Sequence, residues 1–93
     1  MIRLNCFISV KEENKDKVLA AAKRLTAASL KQDGCVAYDI FESATRPEVL
    51  MICETWRDAA ALEAHSNSQV FHDEVSIIHN HAEMKLESFP FNK

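Results

Sequence analysis

The sequence predicts an α+β domain in which four strands and two helical segments follow one another in the order β-α-β-β-α-β. Apolar and polar residues alternate in residues 2–10 and again in 82–89, which is the period of a strand with one buried face. Apolar residues recur at helical spacing from Val18 onward. Two further apolar runs, 35–42 and 48–56, flank a short turn and predict a hairpin. This order is that of a ferredoxin-like fold with one four-stranded antiparallel sheet.

A polar stretch separates the first strand from the first helix. One predicted face of the strand is apolar throughout and consists of Ile2, Leu4, Cys6, Ile8 and Val10. Residues 11–17 are polar, and the acidic pair Glu12 and Glu13 suits the positive end of a helix dipole. The helix that follows is rich in alanine, which raises its helix propensity. Gly34, the only glycine, is expected to end this helix as a left-handed cap.

The hairpin leads into the second helical segment. Residues 48–56 are nearly all apolar, so we expect this strand to lie in the middle of the sheet. Asp58 can cap a helix over residues 59–65, because its side chain can accept a hydrogen bond from a free backbone amide. Ser66 and Gln69 fit a capping box for a further helix. The apolar residues of that helix are Val70, Phe71, Val75 and Ile78.

Composition and charge exclude several kinds of partner and location. The chain has 93 residues, 47% of them apolar, with one Gly and two Pro, which is typical of one compact domain over residues 1–93. The net charge is −3 and no run of Lys or Arg exceeds two, so nucleic acid is not an expected partner. No apolar stretch approaches the roughly 20 residues that span a bilayer, and no signal peptide pattern is present. We therefore expect a cytoplasmic protein without a membrane partner.

The cysteines and histidines do not predict a metal site. Cys6, Cys35 and Cys53 are far apart and form no CxxC motif, so we expect buried, reduced thiols. His79 and His81 lie close together, but their spacing is not that of a regular metal site. We expect no bound metal.

Five residues are candidates for a functional site. Trp56, the only tryptophan, ends the central strand, where its indole can form a pocket wall or pack in the core. Glu54 shares its strand face, and a carboxylate on an apolar strand needs a partner or a pocket. Asn5 lies mid-strand and needs hydrogen-bond partners if it is buried, or else faces outward. His65 can accept a proton near neutrality or interact with the last carbonyls of its helix. Tyr38 can line the same cavity or pack in the core.

Two segments resemble a known family. Residues 52–65 contain a strand that ends in Glu-x-Trp, followed by a helix with Ala-Leu-x-x-His. Upstream, residues 33–38 read Asp-Gly-Cys-x-x-Tyr. Both segments resemble the antibiotic biosynthesis monooxygenase (ABM) family, and the element order matches over essentially the whole chain. The resemblance implies a dimeric α/β-barrel with a pocket, in which a second copy of the chain covers the open face of the sheet.

The resemblance also implies a chemistry. The family includes cofactor-free oxygenases, so we expect a monooxygenase that uses molecular oxygen on a small electron-rich aromatic, of quinol or anthrone type, without a cofactor. A deprotonated quinol can reduce oxygen directly, so the protein supplies a dry cavity, a base and hydrogen-bond donors. His65 would be the base or a proton relay, Asn5 would position oxygen or the substrate carbonyl, and Trp56 would hold the ring. Tyr38 and Glu54 would bind substrate.

Three alternatives stay open. The family also includes an isomerase of a small keto compound, which consumes no oxygen. A non-catalytic dimer that binds a small ligand is the second alternative. Haem-degrading relatives carry an axial histidine late in the second helical segment, where this chain has Val75, with His72 about one turn earlier. Haem degradation is therefore the least favoured.

Overall fold

The structure is a computed structural model that describes residues 1–91. Its elements are β1 (Ile2–Ser9), α1 (Glu12–Ser29), β2 (Cys35–Glu42), β3 (Val49–Trp56), α2 (Ala59–Ser66), α3 (Gln69–His81) and β4 (Glu83–Pro90). The strands form one antiparallel sheet in the order β2-β3-β1-β4, which confirms the ferredoxin-like fold and the predicted central place of β3. The second central strand is β1. Within the described residues, no helix is both long and apolar enough to cross a membrane.

Helix α1 begins at the predicted acidic pair and ends earlier than predicted. Glu12 and Glu13 occupy its first turn, but the helix ends at Ser29, so the prediction that Gly34 caps it is wrong. Gly34 does adopt a left-handed conformation, with φ of 81°, in the turn that leads into β2. A methyl group there would overlap the side chain of Ala61 on α2. The close approach of this turn to α2 therefore requires glycine.

The second helical segment consists of two helices with separate N-caps. Asp58 caps α2 as predicted, since its carboxylate accepts a hydrogen bond from the amide of Ala61 at 2.9 Å. The cap of α3 is Ser68, whose hydroxyl accepts from the amide of Phe71 at 3.3 Å. Ser66 is the last residue of α2, so the predicted capping box is wrong by two residues. The break between the helices redirects the chain, and α3 packs on α1.

The core lies between one face of the sheet and the helices. Of the five residues that the alternation predicts to face inward, four are buried, namely Leu4, Cys6, Ile8 and, directly after β1, Val10, and Ile2 is partly buried. Leu25 of α1, Leu50 of β3 and Ile78 of α3 are fully buried against them. Burying each such side chain contributes roughly 1.5–3 kcal/mol to the free energy of folding. This burial holds the helices on the inner face of the sheet.

The other face of the sheet carries no helix within residues 1–91, and we call it the open face. Several of its side chains are apolar, namely Phe7, Ala37, Phe41, Met51, Cys53 and Phe89. Phe41 is 48% exposed and Phe89 is 42% exposed. These two phenylalanines lie on the opposite edge strands β2 and β4, and Met51 and Phe7 between those edges are partly buried. A sheet face with this many apolar side chains and no cover is a candidate interaction surface.

Candidate active site

A cavity of about 170 Å³ lies between the inner face of the sheet and the helices. Most of its wall is apolar and includes Leu4, Cys6, Ile52, Phe71, Val75 and Leu86. Polar side chains reach it at one end, from Tyr38, Glu54 and His65. Leu86 on the edge strand β4 is 61% exposed, so the cavity opens beside this strand. An apolar wall with a few convergent polar groups is the usual composition of a small-molecule site.

Glu54 forms the polar end of the cavity and is buried. The alternation of β3 turns its side chain inward, as it does that of Trp56 two residues later. The indole Nε1–H of Trp56 donates to Oε1 of Glu54 at 2.8 Å, and the phenol of Tyr38 also interacts with the carboxylate. Burial raises the pKa of Glu54, and these two donors lower it only in part. Glu54 is therefore a stronger base than an exposed glutamate.

His65 lies beside Glu54 on α2 and is 2% exposed. Its Nδ1 is 2.6 Å from Oε1 of Gln32, which belongs to the loop between α1 and β2. Its Nε2 is 3.9 Å from Oε1 of Glu54 and has no hydrogen-bond partner in the described part of the chain. Burial lowers the pKa of His65 from 6.5 to about 4, so the imidazole is neutral at pH 7.

Three aromatic rings surround the imidazole of His65. Trp56 packs on it with ring centroids 4.4 Å apart and an interplanar angle of 32°. Tyr38 and Phe71 meet the imidazole edge-on, with centroids at 5.6 and 5.1 Å. Such contacts limit rotation of the imidazole. Burial, followed by the charge of Glu54, raises the pKa of Tyr38 above its ordinary value of 10, so this phenol is a neutral donor at pH 7.

Four of the five residues predicted for the site lie together. Tyr38, Glu54 and His65 line the cavity. Trp56 is fully buried behind its wall, where it supports Glu54 by a hydrogen bond and His65 by ring packing. In this position the indole does not itself face the cavity, so the predicted role of holding the substrate ring does not fit its placement.

Asn5 is not part of this cluster. It lies on the open face, where its amide donates to the carboxylate of Glu87 on β4 at 3.4 Å. The neighbouring inward position is Cys6, which lines the cavity and whose pKa burial raises to about 11. Because a step of one residue along a strand reverses the face, Asn5 cannot position oxygen or substrate in the cavity of its own protomer.

Two residues that contribute to the site, Gln32 and Phe71, were not predicted from the sequence as site residues. Gln32 binds His65 across 33 residues of chain, and no local pattern in a short polar loop predicts such a contact. Phe71 was predicted to be apolar and helical, but only the packing of α3 against α2 places it on His65 and in the cavity wall. The one indication in the sequence is His65 itself, because a histidine that is buried needs a hydrogen-bond partner for its ring nitrogens.

A larger hollow, of about 490 Å³, lies on the open face between β1 and β4. Phe7 and Val49 form its apolar floor. The charged residues that line it are all exposed, namely Arg46, Glu83, Lys85 and Glu87. It contains no buried titratable pair. The smaller cavity is therefore the candidate active site, although the hollow is larger.

Two observations on the described residues bear on metal and haem binding. In residues 1–91 no group of three or more His, Cys, Asp or Glu side chains is placed to hold a metal ion. On α3, Val75 faces the cavity and His72 is exposed. A hydrocarbon side chain cannot ligate iron, so these two positions do not fit a haem site in this cavity.

The sequence and the fold match known proteins. The sequence model of the family described as Antibiotic biosynthesis monooxygenase matches residues 1–75. The "Putative monooxygenase YcnE" of Bacillus subtilis is 32% identical over 71 residues, which are 76% of this chain and 75% of that protein.

Solved structures agree with the family match. A conserved protein of unknown function from Bacteroides thetaiotaomicron, described as a possible oxidoreductase, is 57% identical with a TM-score of 0.95, over 97% of this chain and 96% of that one. SnoaB of Streptomyces nogalater, a cofactor-independent oxygenase, shares the fold with a TM-score of 0.87 at 12% identity, over 99% of this chain and 93% of that one. Because the family match spans most of the sequence, the chain belongs to the antibiotic biosynthesis monooxygenase family.

Proposed function

We propose that the chain is a cofactor-independent monooxygenase that uses molecular oxygen to oxidise a small electron-rich aromatic compound. The observation that carries the proposal is the polar end of the cavity, where a buried carboxylate, Glu54, and a neutral imidazole, His65, face one apolar space. Membership of the family supports oxidoreductase chemistry. A cavity of about 150 Å³ can hold benzene, so about 170 Å³ suits a single-ring quinol better than a three-ring anthrone.

In this mechanism the buried pair moves a proton. A substrate hydroxyl group that lies between Nε2 of His65 and Oε1 of Glu54, which are 3.9 Å apart, is within hydrogen-bond reach of both atoms and can give its proton to either. Glu54 retains the proton because its pKa is raised above the ordinary 4.5, whereas the pKa of His65 is about 4. The apolar wall excludes water, and the neutral phenol of Tyr38 can donate to the developing oxyanion.

The substrate anion then reacts with oxygen directly. It passes one electron to dioxygen, and the two radicals combine at a ring carbon. One oxygen atom stays on the ring, and the other leaves as water with two hydrogen atoms that the substrate supplies. The quinol is thereby oxidised to a hydroxylated quinone, and no other reductant is needed.

Oxygen uptake with single-ring and three-ring substrates tests this proposal. We expect saturable uptake above autoxidation with single-ring quinols, and a loss of at least about tenfold in Glu54→Gln, which keeps the shape of the side chain but not its charge. Glu63→Gln, on the exposed side of α2, is the matched control and should behave as wild type. Asn5→Ala should also leave uptake unchanged if the reaction occurs in the cavity. Uptake equal to the protein-free blank across the panel would refute the oxygenase.

One observation favours an isomerase as the second candidate. Two acid–base groups 3.9 Å apart can move a proton between neighbouring atoms of an enolisable keto compound without oxygen. This activity would exchange a hydrogen next to the carbonyl for deuterium in D2O, with no oxygen uptake. If neither oxygen uptake nor exchange occurs, the third alternative, a ligand-binding module, becomes the favoured one.

We further propose that two copies pair through their open faces. The supporting observation is the set of apolar side chains on the open face, of which Phe41 and Phe89, at its two edges, are nearly half-exposed. Sedimentation at micromolar concentration should give twice the 10.5 kDa of one chain, and Phe41→Asp should shift the protein towards monomer. A monodisperse monomer of the wild-type chain would refute this pairing.

A further inference from the structure

Gln32 holds the imidazole of His65 on the side away from Glu54. The distance from Oε1 of Gln32 to Nδ1 of His65 is 2.6 Å. In the orientation that the structure gives the Gln32 amide, its oxygen faces Nδ1 and can only accept, which assigns the ring hydrogen to Nδ1. In a neutral imidazole the other nitrogen, Nε2, then has a free lone pair.

Nε2 of His65 is the unpartnered atom of the cavity. It is buried, and no described residue donates a hydrogen bond to it. Glu54 is too far away for a direct hydrogen bond, because Oε1 and Nε2 are separated by 3.9 Å. That spacing lets one ligand oxygen lie within hydrogen-bond distance of both atoms. Buried acceptors in proteins are normally satisfied, so the geometry calls for a donor supplied by a ligand.

We propose that Gln32 is a positioning residue that fixes the tautomer of His65, so that Nε2 accepts a hydrogen bond from the hydroxyl group of a single-ring phenolic ligand. The inference deepens the proposed function and rests on it for the choice of ligand class, but it requires no reaction with oxygen. The ring of the ligand lies against the apolar wall that includes Cys6, Ile52 and Phe71. Its hydroxyl group lies at the polar end.

Among the groups that surround His65, Gln32 is the one that forms a hydrogen bond with Nδ1 and can therefore select the tautomer. From β3 the imidazole meets Glu54 and Trp56, from β2 it meets Tyr38, and from α3 it meets Phe71. None of these forms a hydrogen bond with Nδ1. In the groove outside, the charges of Asp33 and Arg57 are paired with each other at 3.2 Å.

Nuclear magnetic resonance of the histidine ring nitrogens tests the tautomer directly. In the wild-type protein, long-range 1H–15N spectra should show His65 neutral at pH 7, with the hydrogen on Nδ1. Gln32→Leu should remove the preference. Gln32→Glu keeps an oxygen acceptor and should keep the tautomer, while its negative charge raises the pKa of His65 above about 4. Hydrogen on Nε2 in the wild-type protein would overturn the inference, whether or not the variants fold.

Two probes of almost equal shape test the ligand chemistry. p-Cresol carries one hydroxyl group, and p-xylene has a methyl group in its place. We expect the wild-type protein to bind p-cresol at least about tenfold more tightly than p-xylene, since only the former can donate to Nε2. The preference should fall to about twofold or less in Gln32→Leu, with the affinity for p-xylene unchanged, and should be retained in Gln32→Glu.

The outcomes separate this inference from the oxygenase proposal. A tenfold preference for p-cresol over p-xylene that depends on Gln32, without any oxygen uptake, would support the hydroxyl site and refute the oxygenase proposal. Equal affinity for the two probes in the wild-type protein would overturn the hydroxyl site, even if oxygen uptake is observed. An equal preference for p-cresol in the wild-type protein and in Gln32→Leu would refute the role of Gln32 as a positioning residue.

Discussion

Replacing His65 by glutamine should make the fold less sensitive to acid. In the folded protein burial lowers the pKa of His65 from 6.5 to about 4, so the unfolded chain binds a proton in this pH range and the folded chain does not. The stabilising contribution of the neutral ring is complete above pH 6.5 and is lost as the pH falls to about 4. At about 1.4 kcal/mol per pKa unit, this loss is roughly 3 kcal/mol.

A loss of this size is large for a small domain, whose total stability is on the order of 5–15 kcal/mol. Glu54 acts in the opposite direction, because its pKa is raised and the folded protein takes up its proton more readily as the pH falls towards 4.5. Tyr38, whose pKa is raised above 10, stays neutral throughout and contributes nothing in this range. The contribution of His65 is therefore measured as the difference in free energy of unfolding between the wild-type protein and His65→Gln, which both retain Glu54 and Tyr38.

Urea unfolding at several pH values between 4 and 7 measures this difference. The fluorescence of Trp56, the only tryptophan, reports unfolding because the indole is fully buried, and circular dichroism provides a second probe. Between pH 6.5 and 4 the wild-type protein should lose roughly 3 kcal/mol more than His65→Gln, at one protein concentration. His72→Gln, at an exposed position on α3, should follow the wild type. Parallel pH dependence of wild type and His65→Gln would refute the buried, neutral state of His65.

Three further predictions concern stability. Gly34→Ala should lower the free energy of unfolding by at least about 1 kcal/mol, because alanine is strained at φ of 81° and its methyl group overlaps Ala61. Adding Ala61→Gly should relieve the overlap but not the strain, and a double-mutant cycle measures this partial recovery. Ser68→Ala should cost about 1 kcal/mol through loss of the α3 cap to Phe71, and an unchanged urea midpoint would contradict this role. Ile78→Ala, in the core, should lower the free energy of unfolding by about 2–5 kcal/mol, and Ile78→Val by about 1 kcal/mol. Equal losses in the two variants would show that the core around Ile78 is not tightly packed.

The order of the elements could be predicted because each one carries a local signal. The alternation in β1 places Leu4 and Ile8 inside, and Asp58 caps α2 through a contact only three residues away. The end of α1 was less predictable, since Ser29 and the residues after it carry no strong stop signal. Gly34 signalled a left-handed turn correctly, but the local sequence did not show that four residues separate that turn from the helix.

The candidate site could be predicted in part, for the same reason. Glu54 shares a strand face with Trp56 because the strand period is two, and the resemblance to the family added His65 and Tyr38. The resemblance also suggested Asn5, for which the alternation of β1 left an outward-facing position open, and the structure places it on that outward face. The inward neighbour on that strand, Cys6, lines the cavity instead.

The sequence by itself determined the fold class, the family, and the three side chains, Tyr38, Glu54 and His65, that now line the cavity. These depend on periodicity and on short motifs, which are local properties of the chain. Only the tertiary structure decided that Trp56 lies behind the cavity and that Gln32 binds His65 from a distant loop. It also decided that one nitrogen of His65 has no hydrogen-bond partner among residues 1–91. Such contacts depend on how helices and loops pack across the sheet, and packing brings together residues whose separation in sequence carries no periodic signal.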